Sequence, residues 1–354
     1  MEVTVKQILK IVVVLTTLVL VACAHIGPKT IPDDRFSYGT AVAESWKQQM
    51  LLNIVKLRYM DLAIFMEVAQ IVSGYTLETG VNIGGNFSVS GGEDNLSLGG
   101  QGRFTDRPTI TYMPLTGDKF LRGLLTPIPP RSVFFLLQSG YAADFILGLT
   151  LESFNGLSNR STAAGHLREA DPDFFRVLEL IRDIQASGAV GVRVEHEKDE
   201  PETTVLFFRR ENIPVEVQRK IAEAKQLLGL SPGQQRYKLV SSPIRGSEGE
   251  LSVNSRSIIQ ILAAFASYVD VPEEHVQEGR AVPSLETGDS PVKVYSGKNK
   301  PVDAFGAVQY RGYWFWIDDC DWRSKRAISV IMFFFTLAET GSDNRLPVLT
   351  IPAG

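Results

Sequence analysis

The stretch PDFFRVLELIRDIQ, Pro172–Gln185, decides the fold of the central third of this chain. Its apolar residues recur at spacings of three and four, which is the period of an amphipathic helix, and Asp171 stands at the position of an N-cap. The residues assigned to the apolar face are Phe175, Leu178, Ile181 and Ile184. With this helix in place, the segments on either side of it can be interpreted as its neighbours in one module.

Five further segments surround the helix. Alternation, apolar runs and flanking turn residues predict strands at Phe145–Phe154, Ala189–Glu195, Thr203–Arg209 and Arg236–Val240, and a helix at Pro214–Leu228. The order β-α-β-β-α-β resembles the split βαβ, or ferredoxin-like, arrangement. We therefore expect an α+β protein with a ferredoxin-like module over residues 141–242. Because that fold hosts many unrelated activities, the resemblance leaves the function open.

Toward the amino end, residues 37–140 predict a helix followed by a long β-hairpin. Thr40–Tyr59 has the apolar period of a helix. The next segment alternates with a period of two, because Leu77, Val81, Ile83, Phe87 and Val89 all fall on odd numbers. The turn-forming sequence SGGEDN follows, and a second alternating segment with Leu96, Leu98 and Phe104 runs back from it.

This hairpin allows two interpretations. One face is apolar and the other is small and polar, over a length close to the roughly 9–11 residues of a membrane-spanning strand, so copies from several subunits could close into a barrel. A soluble sheet with one face on a core produces the same alternation and is much more common. The candidate membrane or oligomer residues are Val81, Ile83, Phe87, Val89, Leu96 and Leu98.

In the C-terminal region, residues 251–354, the segment YRGYWFWIDDCDWRSKR, Tyr310–Arg326, combines aromatic and acidic residues. Both faces of its strand are apolar, which is typical of a central buried strand and also of an aromatic platform for carbohydrate rings. The acidic residues either hold a cation or serve as helix caps and ion-pair partners. The candidate platform residues are Trp314, Trp316, Asp318, Asp319 and Asp321. The apolar run Ala327–Leu337 predicts a buried helix.

Near the amino terminus, Lys6 and Lys10 precede the apolar run Ile11–Ala22, which is too short to span a bilayer. Together, residues 1–22 have the pattern of a signal peptide. Leu20-Val21-Ala22-Cys23 resembles the lipobox of bacterial lipoproteins. The resemblance implies cleavage between Ala22 and Cys23, a diacylglycerol on the Cys23 thiol and a fatty acyl chain such as palmitate on its amino group. Ala24 in place of aspartate implies sorting to the outer membrane, on its periplasmic face, with residues 23–36 as a lipidated tether.

The chemistry of the remaining sequence excludes several classes. The net charge is −4, so no basic surplus indicates nucleic acid as a partner. The four histidines lie far apart, and the sequence contains no nucleophile elbow, phosphate loop or zinc motif, so we expect no catalytic residues, metal or cofactor.

Three functions remain on sequence grounds. The first is a non-enzymatic lipoprotein anchored to the membrane by its lipid, which acts as a scaffold, assembly or binding subunit with protein partners in the cell envelope. The second is an oligomeric pore or export-channel subunit that uses the hairpin of residues 77–104. The third is a glycan or cell-wall binding protein or enzyme that uses residues 310–326.

Overall fold

The structure is a computed structural model of the chain. It describes residues 31–72, 75–86, 95–161, 168–195, 203–209, 211–284, 290–339 and 349–352. The predicted signal peptide, with the cleavage and lipidation residues Ala22 and Cys23, lies outside these residues, and so do Phe87 and Val89 of the predicted hairpin.

The helices of the described residues range in length from a single short turn to one long helix near the amino end. In chain order they are α1 (Ile31–Arg58), α2 (Asp118–Leu125), α3 (Pro130–Gln138), α4 (Ala143–Thr150), α5 (Pro172–Ala186), α6 (Val215–Leu227), α7 (Ile258–Ser267), α8 (Glu273–Gln277) and α9 (Trp322–Glu339). Across this part of the chain, no helix combines the length and the apolar character needed to cross a membrane.

The strands form several antiparallel or mixed sheets. In chain order the described strands are β1 (Phe65–Val72), β2 (Tyr75–Asn86), β3 (Asn95–Asp106), β4 (Thr109–Leu115), β5 (Leu151–Phe154), β6 (Leu157–Ser158), β7 (Val190–Glu195), β8 (Thr203–Phe208), β9 (Arg236–Val240), β10 (Glu250–Ser255), β11 (Tyr295–Gly297), β12 (Gly306–Tyr310), β13 (Tyr313–Ile317) and β14 (Leu349–Pro352). The predicted α+β class, the amino-terminal helix and the β-hairpin are therefore confirmed.

The largest sheet has the order β6-β5-β10-β9-β8-β7, in which only β9 and β10 are parallel neighbours. The predicted elements from Leu151 to Val240 occur in the predicted order along the chain. They do not form a self-contained sheet, however, because β10 comes from beyond residue 242 and lies between β5 and β9. The sheet order thus differs from that of an isolated β-α-β-β-α-β module.

Strand β10 was missing from the prediction because its sequence, ELSVNS, is largely polar. It nevertheless pairs with β5 and β9, and four of its six residues are buried. Ser252 donates its backbone N–H to Asn155 Oδ1 at 3.1 Å, and its hydroxyl donates to the Ser242 carbonyl at 2.6 Å. Buried polar groups with partners are stable inside a protein, so the strand tolerates serine where isoleucine or valine would have been recognised.

The predicted strand Phe145–Phe154 is wrong over its first part. Ala143–Thr150 forms α4, and the strand begins only at Leu151. A short apolar run cannot be assigned to helix or strand by periodicity alone, so tertiary contacts decide. Here a side chain at Gly148 would already be 3.5 Å from Leu178, which shows how closely α4 lies against α5.

Helix α5 buries Leu178, Ile181 and Ile184 as predicted, but the aromatic residue at the start of its apolar face differs from the prediction. Phe174 is fully buried, whereas Phe175, which was assigned to the core, is 45% exposed. Asp171 makes no side-chain cap bond to the helix; its carboxylate instead accepts the backbone N–H of Ser158 at 2.6 Å. The face follows Phe174 because that residue lies on the same side of the helix as Leu178 and Ile181.

Contacts divide the chain after Gln49 into two units. In the first, residues 31–49 belong to α1, so the helix includes residues 31–36, which the sequence analysis assigned to the tether. In the second, from Met50 onward, the apolar core is continuous and takes in Ile54, Leu178 and Phe315. The predicted region boundaries near residues 140 and 242–251 fall inside this second unit.

Candidate functional site

The aromatic strand predicted from Tyr310–Arg326 is the middle of a three-stranded sheet with the order β11-β13-β12, which we call the aromatic sheet. Strand β13 alternates between two environments. Phe315 is 0% exposed and Ile317 is 1% exposed, so these residues face the core, while Trp314 and Trp316 are only half-buried and lie on the opposite, outer face. Core burial is therefore confined to one face of the strand, and the platform prediction concerns the other face.

The register of the sheet determines which residues share the outer face. Tyr295 and Ala307 lie opposite Trp316 on its two neighbouring strands, and Gly297 and Gln309 lie opposite Trp314. The rings of Tyr295 and Trp316 are stacked, with centroids 5.8 Å apart and an interplanar angle of 24°. This outer face, lined by Tyr295, Gly297, Trp314 and Trp316, is the first candidate site.

The three aspartates predicted with these tryptophans have local partners beyond the end of β13. Asp318 accepts the backbone N–H of Cys320 at 2.7 Å, and Asp319 pairs with Lys325 at 2.8 Å. Asp321 accepts the backbone N–H groups of Arg323 and Ser324, both at 3.1 Å, at the start of α9. These are the contacts of a turn, an ion pair and a helix cap. In the described residues no group of histidine, cysteine, aspartate and glutamate is arranged to hold a metal ion.

The inner face of the aromatic sheet meets a buried polar pair that sequence reasoning missed. The Tyr59 hydroxyl lies 2.7 Å from His275 Nδ1, and the His275 side chain is 2% exposed. Burial raises the pKa of Tyr59 to about 12 and lowers the pKa of His275 below its usual value. Both groups are thus held neutral, and their burial shields them from a solvent-borne substrate.

The hairpin turn between β12 and β13 closes over this pair. Arg311 and Gly312 have positive φ angles of 48° and 85°, which is the pattern of a two-residue type I′ turn. The Arg311 guanidinium lies 5.2 Å from the Tyr59 ring centroid and 3.0 Å from the Asp61 carboxylate. The one local sequence signal for this site is Pro272 before the short α8, because proline is common at the start of a helix. The contact between Tyr59 and His275 has no such signal, since the two residues are 216 positions apart in the sequence.

Lys225 is a second buried ionisable group that the sequence did not reveal. It is 3% exposed, and burial lowers the pKa of its ammonium. Its Nζ donates to the Pro232 carbonyl at 3.2 Å, to Gln235 Oε1 at 3.4 Å and to the Gln234 carbonyl. Lys225 borders a cavity of about 630 Å³. Its three donors are nevertheless occupied by the loop after α6, so its role is structural and it has no free donor for a ligand.

The predicted hairpin forms the second candidate site. Strands β2 and β3, each 12 residues long, make a two-stranded sheet that we call the β-arm. The register of Tyr75 with Asp106 continues that of Val72 with Thr109 at the base, where β1 pairs with β4. The pairing of β1 with β4 and the pairing of β2 with β3 therefore share one register, although they belong to separate sheets.

Four of the six predicted hairpin residues lie in the arm. Ile83 is paired with Leu98, Val81 with Gly100 and Leu96 with Gly85. On the alternate positions Glu78 lies directly opposite Arg103, and both of these side chains are exposed. The register thus pairs the predicted apolar positions with apolar or glycine positions, and it sets Glu78 against a residue of opposite charge.

The edges of the arm are a chemical feature in their own right. Within the described residues β2 and β3 pair only with each other, so each strand has one edge of unpaired backbone N–H and C=O groups. Such edges are templates for pairing with another strand. The arm offers backbone hydrogen bonding along about 40 Å per edge, at about 3.4 Å per residue.

Comparisons with protein-family models, with curated proteins and with solved structures find no match to this chain.

Proposed function

We propose that this chain is a non-enzymatic, lipid-anchored assembly subunit of the cell envelope, which associates with other copies of itself through the β-arm. The lipobox-like sequence ending at Cys23 supports the anchor, and Ala24 supports the outer membrane as its location. Several acyl chains on one residue hold a protein firmly, because each buried methylene contributes roughly 0.8 kcal/mol.

The observation that carries the assembly proposal is the two-stranded arm, which shares the register of β1 and β4 and whose outer edges are both unpaired within the described residues. An isolated two-stranded hairpin is marginally stable in water, and three or more strands are generally needed for independent stability. Pairing of the arm with arms of other copies adds those strands and satisfies the edge groups. A second copy is the natural partner because each copy carries one edge of β2 and one edge of β3.

The test is the oligomeric state of the lipidated protein in detergent, measured by native mass spectrometry and analytical ultracentrifugation. In the variant, residues 75–106 are replaced by a two-residue Asn-Gly turn, which suits an antiparallel hairpin and leaves β1 and β4 paired. We expect the natural chain to be oligomeric and the armless chain to be a monomer with an unchanged circular dichroism melting profile. A monomeric natural chain, or an armless chain that keeps the same oligomer, would overturn the proposal.

A second function, an oligomeric pore or export-channel subunit, is favoured by the length of the arm. Its 12-residue strands exceed the roughly 9–11 residues that span a bilayer, and the register sets apolar and polar positions on alternate rows. The test is release of carboxyfluorescein from phosphatidylethanolamine–phosphatidylglycerol vesicles. A pore subunit releases the dye and its armless variant does not; an oligomer that leaves vesicles intact is an assembly subunit alone.

A further inference from the structure

The outer face of the aromatic sheet has features that the assembly proposal does not use. Its central feature is the contact between Trp316 and Gly297, which sit diagonally on neighbouring strands. A Cβ atom at Gly297 would come within 3.2 Å of Trp316 Cη2 and 3.3 Å of Cζ3. The far edge of the indole therefore lies down over the Gly297 backbone, in the space that any larger residue would fill.

Trp316 is half-buried, so part of its indole lies at the surface of the sheet. The Tyr295 ring stacks against the same indole, and Trp314 lies two residues away on the same row of β13. The neighbours on β12 at this face are Ala307, which is small, and Gln309, which is exposed and carries an amide donor and acceptor. The outer face is thus an aromatic patch that is bordered on β12 by the flexible, polar side chain of Gln309.

Two lysines add positive charge to the same face. Lys293 Nζ lies 4.7 Å from the centroid of the Tyr295 ring, and Lys300 Nζ lies 5.4 Å from that of the Trp314 ring. Both are exposed, and no carboxylate of the described residues is within ion-pairing distance of either. By contrast, Lys298, which lies between them in sequence, is 3.8 Å from Glu274. The face therefore combines aromatic rings with ammonium groups that have no counter-ion in the described chain.

This combination fits one class of ligand. The face of an aromatic ring carries partial negative charge, so it attracts the C–H groups of a pyranose ring laid against it. An ammonium group on a flexible stem binds a carboxylate or phosphate as a point charge. We propose that the outer face of the aromatic sheet binds an acidic saccharide, whose sugar ring stacks on Trp316 and whose anionic group is held by Lys293 or Lys300.

The stacked aromatic pair also stabilises the sheet itself, and the two roles predict different results. If the aromatic residues serve stability alone, the acidic saccharides do not bind, and replacing the lysines changes neither that result nor folding. If the face is a binding site, replacing the lysines weakens binding while the protein keeps its stability, because both side chains are exposed.

The experiment is isothermal titration calorimetry on the full-length mature protein with four probes. Trigalacturonic acid and glucose 6-phosphate distinguish a carboxylate from a phosphate as the recognised anion. Maltotriose has sugar rings without charge, and tripolyphosphate has charge without a ring. We expect at least one acidic saccharide to bind at least tenfold more tightly than both maltotriose and tripolyphosphate.

Two variants and a matched control complete the test. Trp316→Ala should weaken binding at least tenfold, and the double variant Lys293→Gln/Lys300→Gln should weaken it three- to tenfold without changing the urea midpoint. The control is Lys238→Gln, which removes an exposed lysine from β9 on another sheet and should leave binding unchanged. Because the double variant removes no core residue, it decides the question even if Trp316→Ala unfolds.

The proposal is overturned if neither acidic saccharide binds, if maltotriose or tripolyphosphate binds as tightly, or if the double lysine variant binds like the natural protein. The armless variant should bind the saccharide with unchanged affinity, because β2 and β3 belong to a different sheet. The result is therefore independent of the assembly proposal.

Discussion

The β-arm and the aromatic sheet are both antiparallel sheets with alternating sequences, but they are stabilised in different ways. The aromatic sheet has three short strands, and its inner face joins the core through Phe315 and Ile317. The arm has two long strands that, in the described residues, pair only with each other. The comparison shows that alternation predicts a strand but does not reveal what covers its apolar face, since core, solvent, bilayer and partner chain all produce the same period.

This difference separates the consequences of change. A substitution on the inner face of the aromatic sheet acts on the free energy of unfolding of the body. A change in the arm acts on local order and, under the assembly proposal, on association.

Phe315→Ala should lower the free energy of unfolding by about 3–5 kcal/mol, because it removes a fully buried ring and leaves a cavity. The measurement is urea unfolding followed by tryptophan fluorescence. Replacing residues 75–106 by the Asn-Gly turn should leave the urea midpoint of the body within error. If the armless chain is destabilised as much as Phe315→Ala, the arm belongs to the core and the contrast is wrong.

Tyr59→Phe should lower the free energy of unfolding by about 1–3 kcal/mol, because it leaves the buried His275 Nδ1 without its hydroxyl partner at 2.7 Å. Tyr141→Phe is the matched control, since Tyr141 is 39% exposed and loses only a solvated hydroxyl. Equal effects in the two variants would show that the Tyr59–His275 bond contributes nothing to stability.

Stability should also fall as the pH drops below about 6.5, the ordinary pKa of histidine. Burial lowers the pKa of His275 in the folded protein, so in this range the unfolded chain binds a proton that the folded chain refuses. Glu274 does not contribute there, because its hydrogen bond from Tyr313 lowers the pKa of the carboxyl further below the window. Urea midpoints at pH 7.5 and 5.5 should differ more for the natural protein than for His275→Gln; equal differences would contradict this origin.

The smallest effect concerns the arm. Glu78→Lys places a positive charge directly opposite Arg103, which should destabilise the local pairing by about 0.2–1 kcal/mol. The double variant Glu78→Lys/Arg103→Glu restores opposite charges and should recover the pairing. Amide hydrogen exchange of residues 75–86 and 95–106 reports this local stability. Loss of protection in the double variant equal to that in the single variant would show that the charge pair is immaterial.

Much of the fold could be predicted where local pattern and environment agree. The helix at Pro172–Gln185, the hairpin and the aromatic strand were identified from their periods, and all three are present. The prediction failed where a local pattern was ambiguous or absent. FILGLT at Phe145–Thr150 is helical because of its packing on α5, and the polar β10 is a strand because partners distant in sequence satisfy it.

The candidate site likewise contains residues that the sequence predicts and residues that it does not. Trp314 and Trp316 could be selected from sequence as an aromatic pair. The importance of Gly297, Lys293 and Lys300 could not, because these residues approach the tryptophans only through the pairing of β11 with β13. Likewise, the aspartates that looked like a cluster in sequence have separate local partners in the turn and at the start of α9.

The sequence by itself determined the secondary structure of the segments with a clear period, such as Pro172–Gln185 and the hairpin, because periodicity follows from the backbone geometry of each element. It also carries the lipobox-like signal, which is read as a linear peptide. Only the tertiary structure decided which face of Tyr313–Ile317 is buried and which lies open beside two lysines. Both faces of that strand are apolar, so the choice between them depends on what the rest of the chain brings into contact with each.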